Sequence, residues 1–434
     1  MNKPSESNEV GAIQAVGLNL LSYLDFKSTR NETLGDIVRK ASGSTAICDL
    51  LDVYLINNPK VKKLILVEQS RDIYNSNAYV RYDTKGFNAY TFKDPYSNTF
   101  TIVYRGTARG GWIQNGVAFG SSQNNIYYTY KKDNKGRVYI AGKYIVKEHL
   151  STVQAYAVNY FNYNAIKYNW NELYNITVTG HSQGDCNAKL VTLKSPLVDI
   201  CYGFNGPNFS KETITELQLN KEIYEVQKNK IYQYRTENDQ VSIFGYEVVN
   251  ENQIYYLKGN SLKLDHEIDR MVYVDYDKRG NPKISFNDYK EDRTFFASVL
   301  KKYNNILMEL PVDIRGAVAI GTMWFAQNYF GRDKSFFNEK VQLWNICLAV
   351  VTSGIIIPIA LIQAIEYKYG TTTKFIAAIL MGFAVVIMIP IISIVLGGAT
   401  VLGLVSYTID KITSNGNQFM DIRNGLVKLL TELV

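Results

Sequence analysis

Ile176-Thr177-Val178-Thr179-Gly180-His181-Ser182-Gln183-Gly184 is a β-branched run that ends in a G-x-S-x-G pentapeptide. The run favours a strand, and Asp185 to Leu193 can continue as a helix. Glycine and serine are common, so the pentapeptide alone is a weak signal. A strand before it and a helix after it make it a nucleophile elbow, a sharp turn that lifts Ser182 above a sheet. The flanking glycines are needed because a Cβ there would strike the neighbouring strand and helix.

A serine hydroxyl is a poor nucleophile until a histidine takes its proton and an acid orients that histidine. The chain holds only three histidines, so the search for the base is short. His181 lies within the elbow, and its side chain is expected to point away from the nucleophile, in a structural role. His149 precedes Ser182 in a helix-like stretch, whereas α/β hydrolases run Ser, acid, His along the chain. That leaves His266, in Leu264-Asp265-His266-Glu267 just before an apolar strand. The acid belongs between Ser182 and His266 at a strand end. Asp239 fits, following the strand Ile231 to Arg235, while Asp199 falls inside a predicted strand and Glu237 is a second competitor. Two backbone N–H groups must face the charge that develops on the substrate carbonyl. One is assigned to Gln183. The other is assigned to Thr107 in Val103-Tyr104-Arg105-Gly106-Thr107, although a plain strand-ending turn explains that stretch equally well.

Outward from the elbow, apolar spacing predicts helices from Ala15 to about Asn58 and a hairpin from Phe87–Phe92 and Thr99–Tyr104. Gly116 to Gly142 reads as loop with short strands, and Lys143 to Phe161 as a helix. Further strands are expected at Leu197 to Phe204 and Ile231 to Arg235, a hairpin at Met271 to Phe286, and a helix from Phe295 stopped by Pro311. Strands alternating with helices imply an α/β fold with a largely parallel sheet covered on both faces, its site at the carboxyl ends of the strands.

Beyond Lys340 the composition changes. Val341 to Ile365 and Phe375 to Ile409 carry no charged residue, and each exceeds the roughly 18 to 20 residues that cross a bilayer as a helix. Only Glu366 to Lys374 separates them. The expected organisation is a hydrolase domain over residues 1–290, a helical linker over 291–340, and a hydrophobic transmembrane hairpin with a C-terminal helix over 341–434. Buried packing of the two runs is the competing explanation. At 434 residues the chain exceeds what one core usually supports, in line with more than one unit.

The 47 Lys+Arg against 40 Asp+Glu give +7, too small a bias to imply nucleic acid without a basic, aromatic-interleaved run. Four cysteines without C-x-x-C spacing argue against a disulfide framework, and the absence of an H-x-x-x-H pair argues against a histidine-built metal site. No cofactor is expected. Met1 to Gln14 is polar and unlike a Sec signal peptide, so any export would take a non-classical route.

Taken together, Val103 to Thr107, Gly111-Trp112-Ile113-Gln114-Asn115, the elbow, Phe204-Asn205-Gly206-Pro207 and Asn238-Asp239-Gln240-Val241 resemble the class 3 lipases. They are closer to bacterial Mbeg1-like members and relatives of unknown function, and the resemblance covers about Leu18 to Tyr273. It implies an α/β-hydrolase fold, hydrolysis of lipid esters, Ser182 as nucleophile, Asp239 as acid, His266 as base, and Thr107 with Gln183 as oxyanion donors. Asp185 departs from the pattern. Such lipases usually carry a small residue there, and the acid is expected to narrow the acyl site. A lipase domain joined to a hydrophobic helical tail, with no signal peptide, is also similar to effectors exported by the type VII system of Gram-positive bacteria.

The expectation is therefore a serine lipase or phospholipase acting on membrane lipids, associated with the membrane through its C-terminal hairpin. Two alternatives are a membrane-active toxin or interaction protein with a lipid-recognising hydrolase domain, and a soluble acyl esterase or thioesterase whose helical tail binds a protein partner or chaperone.

Overall fold

The β-branched run before Ser182 lies at the centre of an eight-stranded sheet. The computed structural model describes residues 3–26, 30–70, 87–107, 112–259, 265–330 and 343–370. Its strands are β1 (Ile65–Gln69), β2 (Ala89–Lys93), β3 (Thr99–Tyr104), β4 (Gln123–Lys132), β5 (Val138–Glu148), β6 (Asn175–His181), β7 (Ile200–Phe204), β8 (Ile231–Thr236), β9 (Ile254–Leu257), β10 (Val272–Tyr276), β11 (Pro282–Phe286) and β12 (Tyr289–Lys290). The main sheet runs β1-β2-β3-β6-β7-β8-β9-β12. Its middle, from β3 through β9, is parallel, and both edges are antiparallel.

Both faces are covered, as near-continuous apolar strands require. Strand side chains alternate between faces. Phe100, Ile102, Tyr104, Ile176 and Val178 therefore enter one core, and Val103, Phe204 and Tyr234 the other. The first core is closed by α5 (Thr152–Tyr168) and α6 (Gln183–Lys194), and the second by α1 (Glu6–Ser22), α2 (Leu34–Lys40), α3 (Thr45–Asn57) and the β10–β11 hairpin. Helix α1 begins early, with the Ser5 side chain accepting from Asn8 N–H and Glu6 and Glu9 in its first turn. It brings Asn19 to β6, where Nδ2 donates to Thr179 Oγ1 at 2.8 Å.

Lys143 to Glu148 is strand, not helix, and residues 123–148 form one long hairpin rather than a loop. Helix α5 starts only after Ser151, which makes a capping box with Gln154. The hairpin is decided by pairing: Ile126 lies opposite Ile145 and Tyr127 opposite Tyr144, and Asn159 of α5 bonds the backbone of both Ile126 and Tyr128.

Helix α4 (Trp112–Val117) follows β3, and α7 (Lys211–Leu217) and α8 (Lys221–Lys228) lie between β7 and β8. After the sheet come α9 (Phe295–Met308), α10 (Val312–Phe330) and α11 (Leu343–Tyr369). These form a third apolar cluster with Phe119, and buried Arg315 donates to the carbonyls of Phe119 and Met308. Among the described residues no helix is long and apolar enough to cross a membrane. The expectation of a spanning helix in Val341 to Ile365 is not met there. Ala349, Ile356, Ala360 and Ala364 of α11 instead pack into the cluster with α9 and α10. The second run, 375–409, lies outside the described residues.

Candidate active site

Strand β6 runs into α6 through Ser182, whose φ of 59° and ψ of −129° lie in a region that L-residues rarely occupy. Two close approaches make the bend. A Cβ on Gly180 would sit 2.1 Å from the Gly184 carbonyl carbon, and one on Gly184 would sit 1.9 Å from the Tyr104 carbonyl oxygen. Ser182 N–H donates to the Phe204 carbonyl at 2.9 Å, which holds the turn to β7.

Ser182, His266 and Asp239 meet in one line. Ser182 Oγ lies 2.8 Å from His266 Nε2, and His266 Nδ1 lies 2.7 Å from Asp239 Oδ1. A carboxylate accepts, so Nδ1 carries the proton and Nε2 is left to accept from the serine hydroxyl. Asp239 is fully buried just beyond β8. Burial pushes its carboxyl up, but the His266 charge, their shared hydrogen bond and the Ser242 hydroxyl and N–H outweigh this and hold it below the usual carboxylate range. The Ser242 N–H bond to Oδ2 is 2.6 Å. This arrangement can remove a proton from Ser182 Oγ and stabilise the imidazolium that results.

Gln183 is the first residue of α6, where a backbone N–H has no intrahelical carbonyl to meet and the helix dipole is positive. In register Tyr104 pairs with Gly180, so the chain beyond β3 runs beside His181 and Ser182. There Gly106 lies against the His181 carbonyl, and Thr107 Oγ1 accepts from Asn115 Nδ2 at 3.1 Å. Residues 108–111, which include Gly111, and Leu264 lie outside the described residues.

The remaining histidines and acids are placed elsewhere. His149 Nδ1 is 2.7 Å from Glu216 of α7. Asp199 receives the Ile176 N–H at the start of β6, the opposite end of that strand from Ser182. Glu237 receives the Gly259 N–H at 3.4 Å. His181 is neutral: burial first, and the His266 charge second, push it down to about 3.

Asp185, the departure from the lipase pattern, is fully buried between α6 and the sheet. Its oxygens accept from Gly206 N–H and Gln233 Nε2, each at 2.9 Å, and Lys189 Nζ lies 3.6 Å away. Lys189 also donates to Asn208 Oδ1 at 2.9 Å. Burial keeps the Asp185 carboxyl above its ordinary range despite Lys189. Sequence reasoning missed this network because its partners come from β8 and the loop after β7. The only local signal was the i, i+4 spacing of Asp185 and Lys189. Among the described residues no group of His, Cys, Asp or Glu could hold a metal ion.

The chain is similar to fungal lipases of known structure. A fungal lipase aligns over 66% of this chain and 88% of its own, at 13% identity and a TM-score of 0.36. The Rhizomucor miehei triacylglyceride lipase aligns over 72% and 94%, at 12% identity and a TM-score of 0.33. Lip2 lipase from Yarrowia lipolytica aligns over 67% and 89%, at 13% identity and a TM-score of 0.32. No protein-family model and no curated protein matches the chain.

Proposed function

We propose that this protein is a serine hydrolase of carboxylic esters whose substrates are acyl esters of lipids. The observation that carries the reading is the hydrogen-bonded line Ser182–His266–Asp239 with the serine on a strained strand-to-helix turn. Ser182 Oγ attacks the acyl carbonyl as His266 takes its proton. The oxyanion is met by the N–H groups of Gln183 and Thr107. His266 then protonates the leaving alcohol, and water, activated by the same histidine, releases the acid. Backbone strain at Ser182, of order 1–3 kcal/mol at such positions, is borne by the surrounding fold and keeps the hydroxyl raised for attack.

A fluorophosphonate probe tests this directly, because an activated serine hydroxyl attacks its phosphorus, expels fluoride and is left as a stable phosphonate ester. The purified full chain is expected to take up one probe on Ser182 and to release fatty acid from a mixed-lipid dispersion, read by mass spectrometry. An intact, folded chain that neither labels nor releases acid would end the hydrolase reading.

The lipid substrate and a place at the membrane are supported by the charge-free sequence 375–409. The full chain is expected to remain with membranes after alkaline carbonate washing, and a chain ended after Gly370 to be released. Complete extraction of the full chain by carbonate would remove the membrane part of the reading and favour a soluble esterase.

A further inference from the structure

The elbow histidine sits closer to the chemistry than a filler would. The carbonyl of His266 accepts two hydrogen bonds, from His181 Nε2 at 2.7 Å and from Asn205 Nδ2 at 3.0 Å. A carbonyl only accepts, so His181 carries its proton on Nε2. In a neutral ring Nδ1 is then an acceptor, and Tyr23 Oη, 2.6 Å away, donates to it. Tyr23 is the residue that ends α1, and its phenol is held in the protonated form chiefly by burial. Asn19, one turn earlier, fixes the same helix to Thr179 of β6. The preceding carbonyl, of Asp265, accepts from Thr236 Oγ1. Donors from β6, β8 and the end of β7 thus grip the backbone on which the His266 ring is carried.

We propose that Tyr23 and His181 are a positioning pair for the ester-hydrolase reaction, fixing His266 through its main-chain carbonyl so that its ring spans Ser182 and Asp239. This rests on the hydrolase reading above. Tyr23 sets the tautomer, His181 delivers the N–H, and Asn205 supplies the second donor. The choice of histidine follows from the ring geometry. The His181 and His266 rings lie 4.8 Å apart, centroid to centroid, at 36°. A lysine or arginine could supply a donor there, but its fixed charge would oppose the imidazolium that forms on His266 during the reaction.

The test compares His181→Phe, which keeps a ring and loses the donor, with His181→Gln, whose amide nitrogen can return it. Both are made in the full chain, with kcat and KM measured on a soluble p-nitrophenyl ester and melting followed alongside. His181→Phe is expected to lower kcat on the order of 100-fold, the cost of misplacing a reacting group by about 1 Å, with KM unchanged. His181→Gln is expected to recover most of that loss, and Tyr23→Phe to fall between wild type and His181→Phe. Wild-type kcat in a folded His181→Phe chain, or equal losses in the Phe and Gln variants, would overturn the proposal. If His181→Phe does not fold, Tyr23→Phe decides: a lowered kcat at unchanged KM supports the pair, and wild-type kcat refutes it. A wild-type chain inert to both ester and fluorophosphonate would be a failure of the hydrolase reading itself.

Discussion

Ser182→Ala is expected to lower kcat/KM on a soluble acyl ester by roughly four to six orders of magnitude, with melting little changed. The substitution removes the nucleophile and leaves the bend intact. Gly180 and Gly184 still admit the close approach of α6 and β3, and the N–H at position 182 still bonds the Phe204 carbonyl. A companion variant separates strain from chemistry. Ser182→Gly should be equally inactive yet more stable by about 1 kcal/mol, because glycine adopts the observed backbone angles without penalty. Ester turnover near wild type in Ser182→Ala would show that the reaction runs elsewhere.

The second large effect is expected at the acid. Asp239→Asn should lower kcat by about 10⁴-fold. An amide at this position can donate to His266 Nδ1, which favours the tautomer with its proton on Nε2, where it can no longer accept from Ser182. The buried site aggravates this, since Oδ2 must still accept the Ser242 N–H and little freedom remains to rotate the amide. His266→Ala should be as damaging, whereas His149→Ala should leave most activity, because His149 is engaged with Glu216. Steady-state rates at saturating ester check all three. A severe loss in His149→Ala with full activity in Asp239→Asn would transfer the base and acid roles to other residues.

The elbow was legible because its cause is local. Within nine residues the sequence holds a β-branched strand, two glycines and the serine between them, and the same short-range sterics decide the backbone at Ser182. The strands β2, β3, β6, β7 and β8 were legible for the same reason: alternating or continuous apolar runs bounded by turn residues. Chain order singled out Asp239 and His266 among few alternatives, and the fold brings both to Ser182.

What only the tertiary structure decided depends on partners far apart in the chain. Lys143 to Glu148 has spacing compatible with a helix, and it became strand because Gln123 to Lys132 pairs with it. The partners of Asp185, Gln233 and Gly206, lie more than 20 residues away and are brought to it only by the fold. The partners of His181, the Tyr23 hydroxyl and the His266 carbonyl, lie far from it in the sequence and are set by the fold alone. The charge-free run beginning at Val341 was read from composition, which reports how apolar a segment is and not which of its side chains pack against a neighbour. The packing of α11 against α9 and α10 is a property of three segments together. Local sterics and periodicity are written within a few residues, whereas the burial and charge state of a side chain are set by whatever the fold brings against it.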